Sequence, residues 1–175
     1  MSIFQAALLG LVQGLCEFLP VSSSGHLVLL QNIFGITEGA LFFDTMLHLG
    51  TLFAVVFVYR KTLAEMFHHP FRKYPMFIVL ATVPTIVMTL LFRGFIEESY
   101  SGSLLGWGFL VTALLLTVTN SISAKIPGKR RIDEMRPTHA LLIGVAQGLA
   151  VFPGVSRSGS TISGFCCKES KVTIF

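Results

Sequence analysis

The sequence predicts an all-α, polytopic transmembrane protein with inverted repeats and re-entrant broken helices. Three observations carry that expectation. Apolar residues make up 53% of the chain and charged ones 13%, against about 25% charged in an ordinary soluble domain, and the mean hydropathy is +0.74. The charges are bunched, with long uncharged stretches between them, as crossing a bilayer requires. Two apolar segments are broken by Gly, Pro and Ser, and each resembles the other.

The first broken segment, residues 3–34, has no basic region ahead of it and no evident cleavage site, so it is expected to stay in the mature protein. Three uninterrupted spans follow: Ala40 to Tyr59, Pro75 to Phe92, and Leu104 to Ala124, each expected to be a helix. Pro84 should kink the second, and Gly106 and Gly108 should let a neighbour approach the third closely. Between the spans lie a basic loop (Arg60, Lys61, Arg72, Lys73), a short loop with Arg93, Glu97 and Glu98, and a second basic loop (Lys125, Lys129, Arg130, Arg131, Arg136). The positive-inside rule puts the basic loops in the cytoplasm and opens the first broken segment to the outside.

The second broken segment occupies residues 140–164. At an offset of 134, Gly10 to Gly25 and Gly144 to Gly159 agree at 9 of 16 positions, including Gln13/Gln147, Phe18/Phe152, Ser22/Ser156 and Ser24/Ser158. Three spans separate the copies, and an odd number inverts the second relative to the first. Broken helices in both halves of a membrane protein point to a site where they meet. Irregular backbone at membrane depth survives only when buried in protein or lining a wet cavity. Residues 20–25 and 153–159 are therefore expected to form facing hairpin tips within one membrane domain covering 1–175.

The net charge of +4 does not indicate nucleic acid, because the basic residues sit in short clusters between apolar spans. Cys16, Cys166 and Cys167 suit neither a disulfide framework nor a zinc site and read as free thiols.

The chemistry concentrates in the two breaks. Gln13 and Glu17, four apart, share a helix face and run directly into Pro20, Ser22, Ser23, Ser24 and His26. A carboxylate inside a span costs about 2.5–3.5 kcal/mol on insertion scales and marks function by default. In the second break, Pro153 to Thr161 surrounds a single cation, Arg157, with hydroxyls and glycines. A guanidinium fork beside exposed turn amides suits phosphate.

The stretch from Gln13 to His26 (QGLCEFLPVSSSGH) resembles the first signature of the undecaprenyl-diphosphate phosphatase (bacitracin resistance protein) family, and Pro153 to Thr161 (PGVSRSGST) is similar to its second. Asp44 to Arg60 and Arg131 to Gly144 also read like that family. The resemblance implies an integral phosphatase of the bacterial inner membrane that converts undecaprenyl diphosphate to undecaprenyl phosphate, recycling the peptidoglycan lipid carrier and conferring bacitracin resistance. By position it implies that Glu17, His26 and Arg157 act directly, with Ser23 a candidate nucleophile. Gln13, Ser22, Ser23, Ser24, Ser156, Ser158 and Thr161 would bind substrate. It also implies Mg²⁺ or Ca²⁺, with Glu17 the sole carboxylate available to a metal because Gln13 stands where many members have Glu. His26 as base toward water or toward a serine remains open at this point. Expected partners are a polyprenyl diphosphate lipid, membrane lipids and, as an open arrangement, a second copy in a homodimer; nucleic acid is not expected. The resemblance implies that spans normally following Gly164 are missing. The competing readings are a polyprenyl-phosphate transporter or flippase, which needs the same phosphate loops without bond cleavage, and an inactive fragment.

Overall fold

A computed structural model describes residues 1–36, 38–68, 73–100, 102, 104–123 and 136–166. Among them secondary structure is helical throughout: α1 Ile3–Cys16, α2 Ser23–Phe34, α3 Ala40–Val58, α4 Arg60–His68, α5 Lys73–Leu91, α6 Arg93–Ser99, α7 Leu105–Ser123, α8 Pro137–Leu149 and α9 Arg157–Cys166. Arg72, Lys125, Lys129, Arg130, Arg131, Cys167 and residues 168–175, on which sequence expectations fell, lie outside the described residues, as does Ala124 at the end of the third span.

The three uninterrupted spans are helices α3, α5 and α7, and both broken segments are helix–break–helix pairs, α1–α2 and α8–α9. Two stretches read as loops are instead partly helical. Arg60–His68 forms α4 because no Gly or Pro interrupts a run of good helix formers. Its first residue is anchored back on α3: the Arg60 guanidinium donates to the Phe57 carbonyl at 3.0 Å and stacks 4.9 Å over the Phe57 ring. Arg93–Ser99 likewise forms α6, where the Ser99 hydroxyl donates to the Phe95 carbonyl at 2.7 Å.

Polarity is arranged inside out. Among the described residues eleven polar or charged side chains are buried against eight apolar ones, while Phe53, Phe57, Leu90 and Leu91 are each more than two-thirds exposed. Water would not tolerate so much contiguous apolar surface. Helix α3 is long and apolar enough to cross a membrane, with a mean hydropathy of 1.9 and 6% of its apolar window buried. The apolar stretches Pro75–Leu91 and Leu105–Ser121 are shorter.

Helices meet through small residues rather than interlocked large ones, as expected where lipid competes equally for apolar side chains. The most extensive pairing joins α5 to α8. Ala140, Gly144 and Gly148, spaced by four, present a bare stripe on α8. A Cβ on Gly144 would strike the Ala81 carbonyl oxygen and approach Pro84 Cγ to 2.5 Å, and one on Gly148 would lie 2.7 Å from Met88 Cβ. The Thr85 hydroxyl shares its one proton between the Gly144 carbonyl across this seam and the Ala81 carbonyl of its own helix, each at 3.0 Å. Pro84 sits inside α5, and the helix runs on through it to Leu91. Of the two glycines expected to admit a neighbour on α7, Gly108 does, against the Pro153–Gly154 backbone, whereas a Cβ on Gly106 would meet nothing within 4 Å among the described residues.

Gly144→Ala is expected to destabilise the protein by about 1–3 kcal/mol, because the clash is with backbone that cannot swing aside. Gly14→Ala, at a helical glycine where a Cβ would meet nothing within 4 Å among the described residues, should be neutral or stabilising by about 0.5–1 kcal/mol. Unfolding in detergent measures both.

Candidate active site

Glu17 is the C-cap of α1, its amide still bonded to the Gln13 carbonyl at 2.9 Å. Beyond it Pro20 ends helical continuation, and the chain turns at Ser22, the one non-glycine residue with positive φ among the described residues (φ 65°). Such a conformation costs on the order of 1–3 kcal/mol and concentrates at functional sites. It is held here by three bonds. Ser22 Oγ accepts from the Gly25 amide at 3.3 Å, and its carbonyl oxygen accepts from the His26 amide at 3.2 Å and from His26 Nδ1 at 2.8 Å.

The second break repeats this device at the same offset. Ser156 Oγ accepts from the Gly159 amide at 3.0 Å, and its carbonyl accepts from the Ser160 amide at 2.8 Å. The loop is pinned to α7 by buried Thr112, whose hydroxyl donates to the Gly154 carbonyl at 2.8 Å and accepts from the Ser156 amide at 2.9 Å. Gly154 (φ 90°) and Gly25 let the tips close: a Cβ on Gly25 would lie 2.8 Å from Gly154 Cα. Ser158 Oγ then donates across to the Leu19 carbonyl at 3.0 Å. The tips face one another, and the N-termini of α2 and α9 open on the same cavity.

That cavity, of about 270 Å³, is lined by Glu17, Ser22, Ser23, Ser24, Ser156, Arg157, Ser158 and Thr161, together with Cys16 and Gln147. Glu17 is its hub. Oε2 accepts from Ser23 Oγ at 2.6 Å and from Gln13 Nε2 at 3.0 Å, and Oε1 lies 3.8 Å from Arg157 Nη2. The Ser23 bond is in the short range expected when a hydroxyl donates to a carboxylate. Gln13 is almost wholly buried and supports Glu17 from behind; its own Oε1 has no partner among the described residues. Arg157 is about half exposed and meets no carboxylate at hydrogen-bonding distance among the described residues, so its fork remains available to an anion. Thr161 lines the cavity while its hydroxyl donates to the Arg157 carbonyl at 2.7 Å.

His26 is placed apart. Its Nδ1 is committed to the Ser22 carbonyl, its ring sits edge-on to Phe109 at 5.2 Å, and it lines neither this cavity nor its neighbour. The Nδ1 bond braces the Ser22 turn.

Sequence reasoning passed over three side chains. Asp44 and His48, four apart on α3, line an adjoining lobe of about 300 Å³ with Tyr100, Ser24 and Arg157. Asp44 is buried and accepts from Gln31 Nε2 at 2.6 Å. His48 Nδ1 donates to the Asp44 carbonyl at 2.8 Å, turning Nε2 to within 3.7 Å of Glu17 Oε2. Two ionisable residues four apart in an apolar span were the signal that marks such positions. Tyr100 had no comparable sequence signal. Burial pushes its phenol up, against the pull of the Arg157 cation, so it keeps its proton.

A divalent cation does not find a ready-made site here. No group of three or more His, Cys, Asp or Glu able to hold a metal occurs among the described residues. The Glu17 carboxylate is already surrounded by protein donors.

Two hairpin tips that enclose hydroxyls, helix N-termini, one guanidinium and one carboxylate define a helical protein with a candidate oxyanion-binding centre. Residues 6–172 match the family model described as bacitracin resistance protein BacA, and the chain belongs to that family. It is similar to an undecaprenyl-diphosphatase of Carboxydothermus hydrogenoformans, with 46% identity over 94% of this chain and 62% of that protein. An undecaprenyl-diphosphatase 4 of Bacillus thuringiensis is 42% identical over 93% of the chain and 62% of its own length. One of Alkaliphilus metalliredigens is 40% identical over 94% and 66%. The chain thus spans about 62% of the length of the first two relatives.

Thr112→Val, similar in shape but lacking the hydroxyl, should leave the buried Gly154 carbonyl and Ser156 amide unpaired. The expected cost is about 1–3 kcal/mol, with faster hydrogen exchange at Ser156 than at α5 amides; equal exchange in variant and parent would contradict the assigned pin.

Proposed function

We propose that this chain acts as a phosphatase on a polyprenyl diphosphate, undecaprenyl diphosphate by its relatives' names, releasing the terminal phosphate and leaving the lipid monophosphate. The observation that carries the reading is the 2.6 Å bond from Ser23 Oγ to Glu17, formed in a cavity whose opposite wall supplies Arg157. Glu17 takes the Ser23 proton as Oγ attacks the terminal phosphorus. The bond to the bridging oxygen breaks, and the lipid monophosphate departs with the electron pair. Glu17 passes that proton to the departing lipid phosphate; water then attacks the phosphoserine, Glu17 takes a proton from the water and returns it to Ser23 Oγ as the Oγ–P bond breaks, and inorganic phosphate leaves. Arg157 and the amides at the starts of α2 and α9 neutralise charge on the transferring group. Gln13 holds Glu17 in register, and His26 holds the Ser22 turn.

Mg²⁺ or Ca²⁺ in this reading arrives with the diphosphate rather than residing in the protein, since magnesium is typically held by few carboxylates and several phosphate oxygens. The exposed apolar helices favour a multi-pass position in a bacterial inner membrane, and the family description favours a part in bacitracin resistance through recycling of the cell-wall lipid carrier.

Phosphate release from a short-chain polyprenyl diphosphate by the full chain in detergent tests the proposal. Ser23→Ala and Arg157→Ala should each lower release by at least about a hundredfold, the scale of losing a group that acts in the transition state. Unchanged release in Ser23→Ala would remove the serine from the mechanism. Tight diphosphate binding without any release would favour a lipid carrier over a phosphatase.

A further inference from the structure

The cavity has two lobes, and the attacked phosphate accounts for only one. Ser24 and Arg157 line both, so the lobes adjoin at these two side chains. Adjacent phosphates in a diphosphate share one oxygen. If the terminal phosphate stands before Ser23, its neighbour must lie within a bond or two of the shared wall. The second lobe is the polar space in that position.

Its walls suit a singly charged phosphate. Arg157 reaches it with a guanidinium that is about half exposed and stands 3.8 Å from Glu17, too far for a hydrogen bond. Tyr100 lines it as well. Burial keeps that phenol protonated, hence a donor. Thr45 also lines the lobe, but its proton is spent on the Leu41 carbonyl at 2.8 Å. Asp44 is the acid present, and it is buried and engaged by Gln31 at 2.6 Å. His48 commits Nδ1 to backbone and directs Nε2 toward Glu17. What the lobe presents to an anion is therefore Arg157, the Ser24 hydroxyl and the Tyr100 hydroxyl.

We infer that this second lobe is the subsite for the lipid-linked phosphate, with Arg157 straddling the two phosphates and Tyr100 the residue that distinguishes a diphosphate from a monophosphate. The inference rests on the phosphatase reading for the placement of the terminal phosphate, but its test needs no turnover. Binding of inorganic pyrophosphate and of inorganic phosphate to the full chain in detergent is measured by titration calorimetry at fixed ionic strength. The unmodified chain should bind pyrophosphate at least about tenfold more tightly than phosphate. Tyr100→Phe, which removes one oxygen, should cost about tenfold toward pyrophosphate, as expected for a hydrogen bond to a charged group, and leave phosphate unchanged. Arg157→Ala should weaken both. Val151→Phe, which fills the second lobe from its wall, should exclude pyrophosphate while sparing phosphate. The inference is overturned if Tyr100→Phe and Val151→Phe leave pyrophosphate affinity intact, or if they weaken the two anions equally. Lack of phosphate release would count against the phosphatase reading alone, because these affinities are read without chemistry.

Discussion

A carboxylate at the C-terminal end of an apolar helix is costly twice over. Its surroundings desolvate it, and the helix dipole places partial negative charge beside it. Glu17 occupies that position, and much of the structure around it reads as its compensation. Gln13 donates from one turn back, Ser23 donates from the start of the next helix, and Arg157 stands opposite on the other hairpin. Satisfying Glu17 requires the chain to reverse within six residues, which is why Ser22 adopts positive φ and why the tips must close on glycine. The same compensation makes the site, since a carboxylate that polarises a serine opposite a guanidinium is also equipped to move a phosphoryl group.

The inside-out polarity follows from one constraint. Broken helices expose amides and carbonyls that an apolar surrounding cannot satisfy, so the irregular segments gather inside and bring polar side chains with them. Large apolar residues are left to face outward, and helices contact through Gly, Ala and Thr. The Gly144–Gly148 stripe on α8 and the Thr85 bond across it show how this packing replaces an interlocked core.

Much of this was legible in the sequence, because period and punctuation encode it directly. The long apolar runs gave α3, α5 and α7, and the internal repeat located both breaks to within a residue or two of Ser22 and Ser156. The serines, Glu17 and Arg157 could be chosen because polar residues are conspicuous inside apolar segments. Helices α4 and α6 were not legible as such, since charge was taken to mean loop, and charge marks the interface without deciding helicity. His26 was drawn toward the chemistry by its nearness in sequence to Ser22. In the structure its Nδ1 is committed to the Ser22 carbonyl four residues back. Asp44 and His48 come from a third element, and Tyr100 from the segment after α6. Only the folded chain brings those walls together.

The central claim is that the two tips meet and so place Ser23 and Glu17 opposite Arg157. A Cβ built on Gly159 lies 3.5 Å from Pro20 Cβ, within the range a disulfide spans. In a background lacking the native cysteines, Pro20→Cys combined with Gly159→Cys should crosslink within the chain under mild oxidation, seen as a linked peptide pair by mass spectrometry. A folded double variant whose two thiols stay free under strong oxidant would mean that the tips do not face each other, and the site as described would not exist.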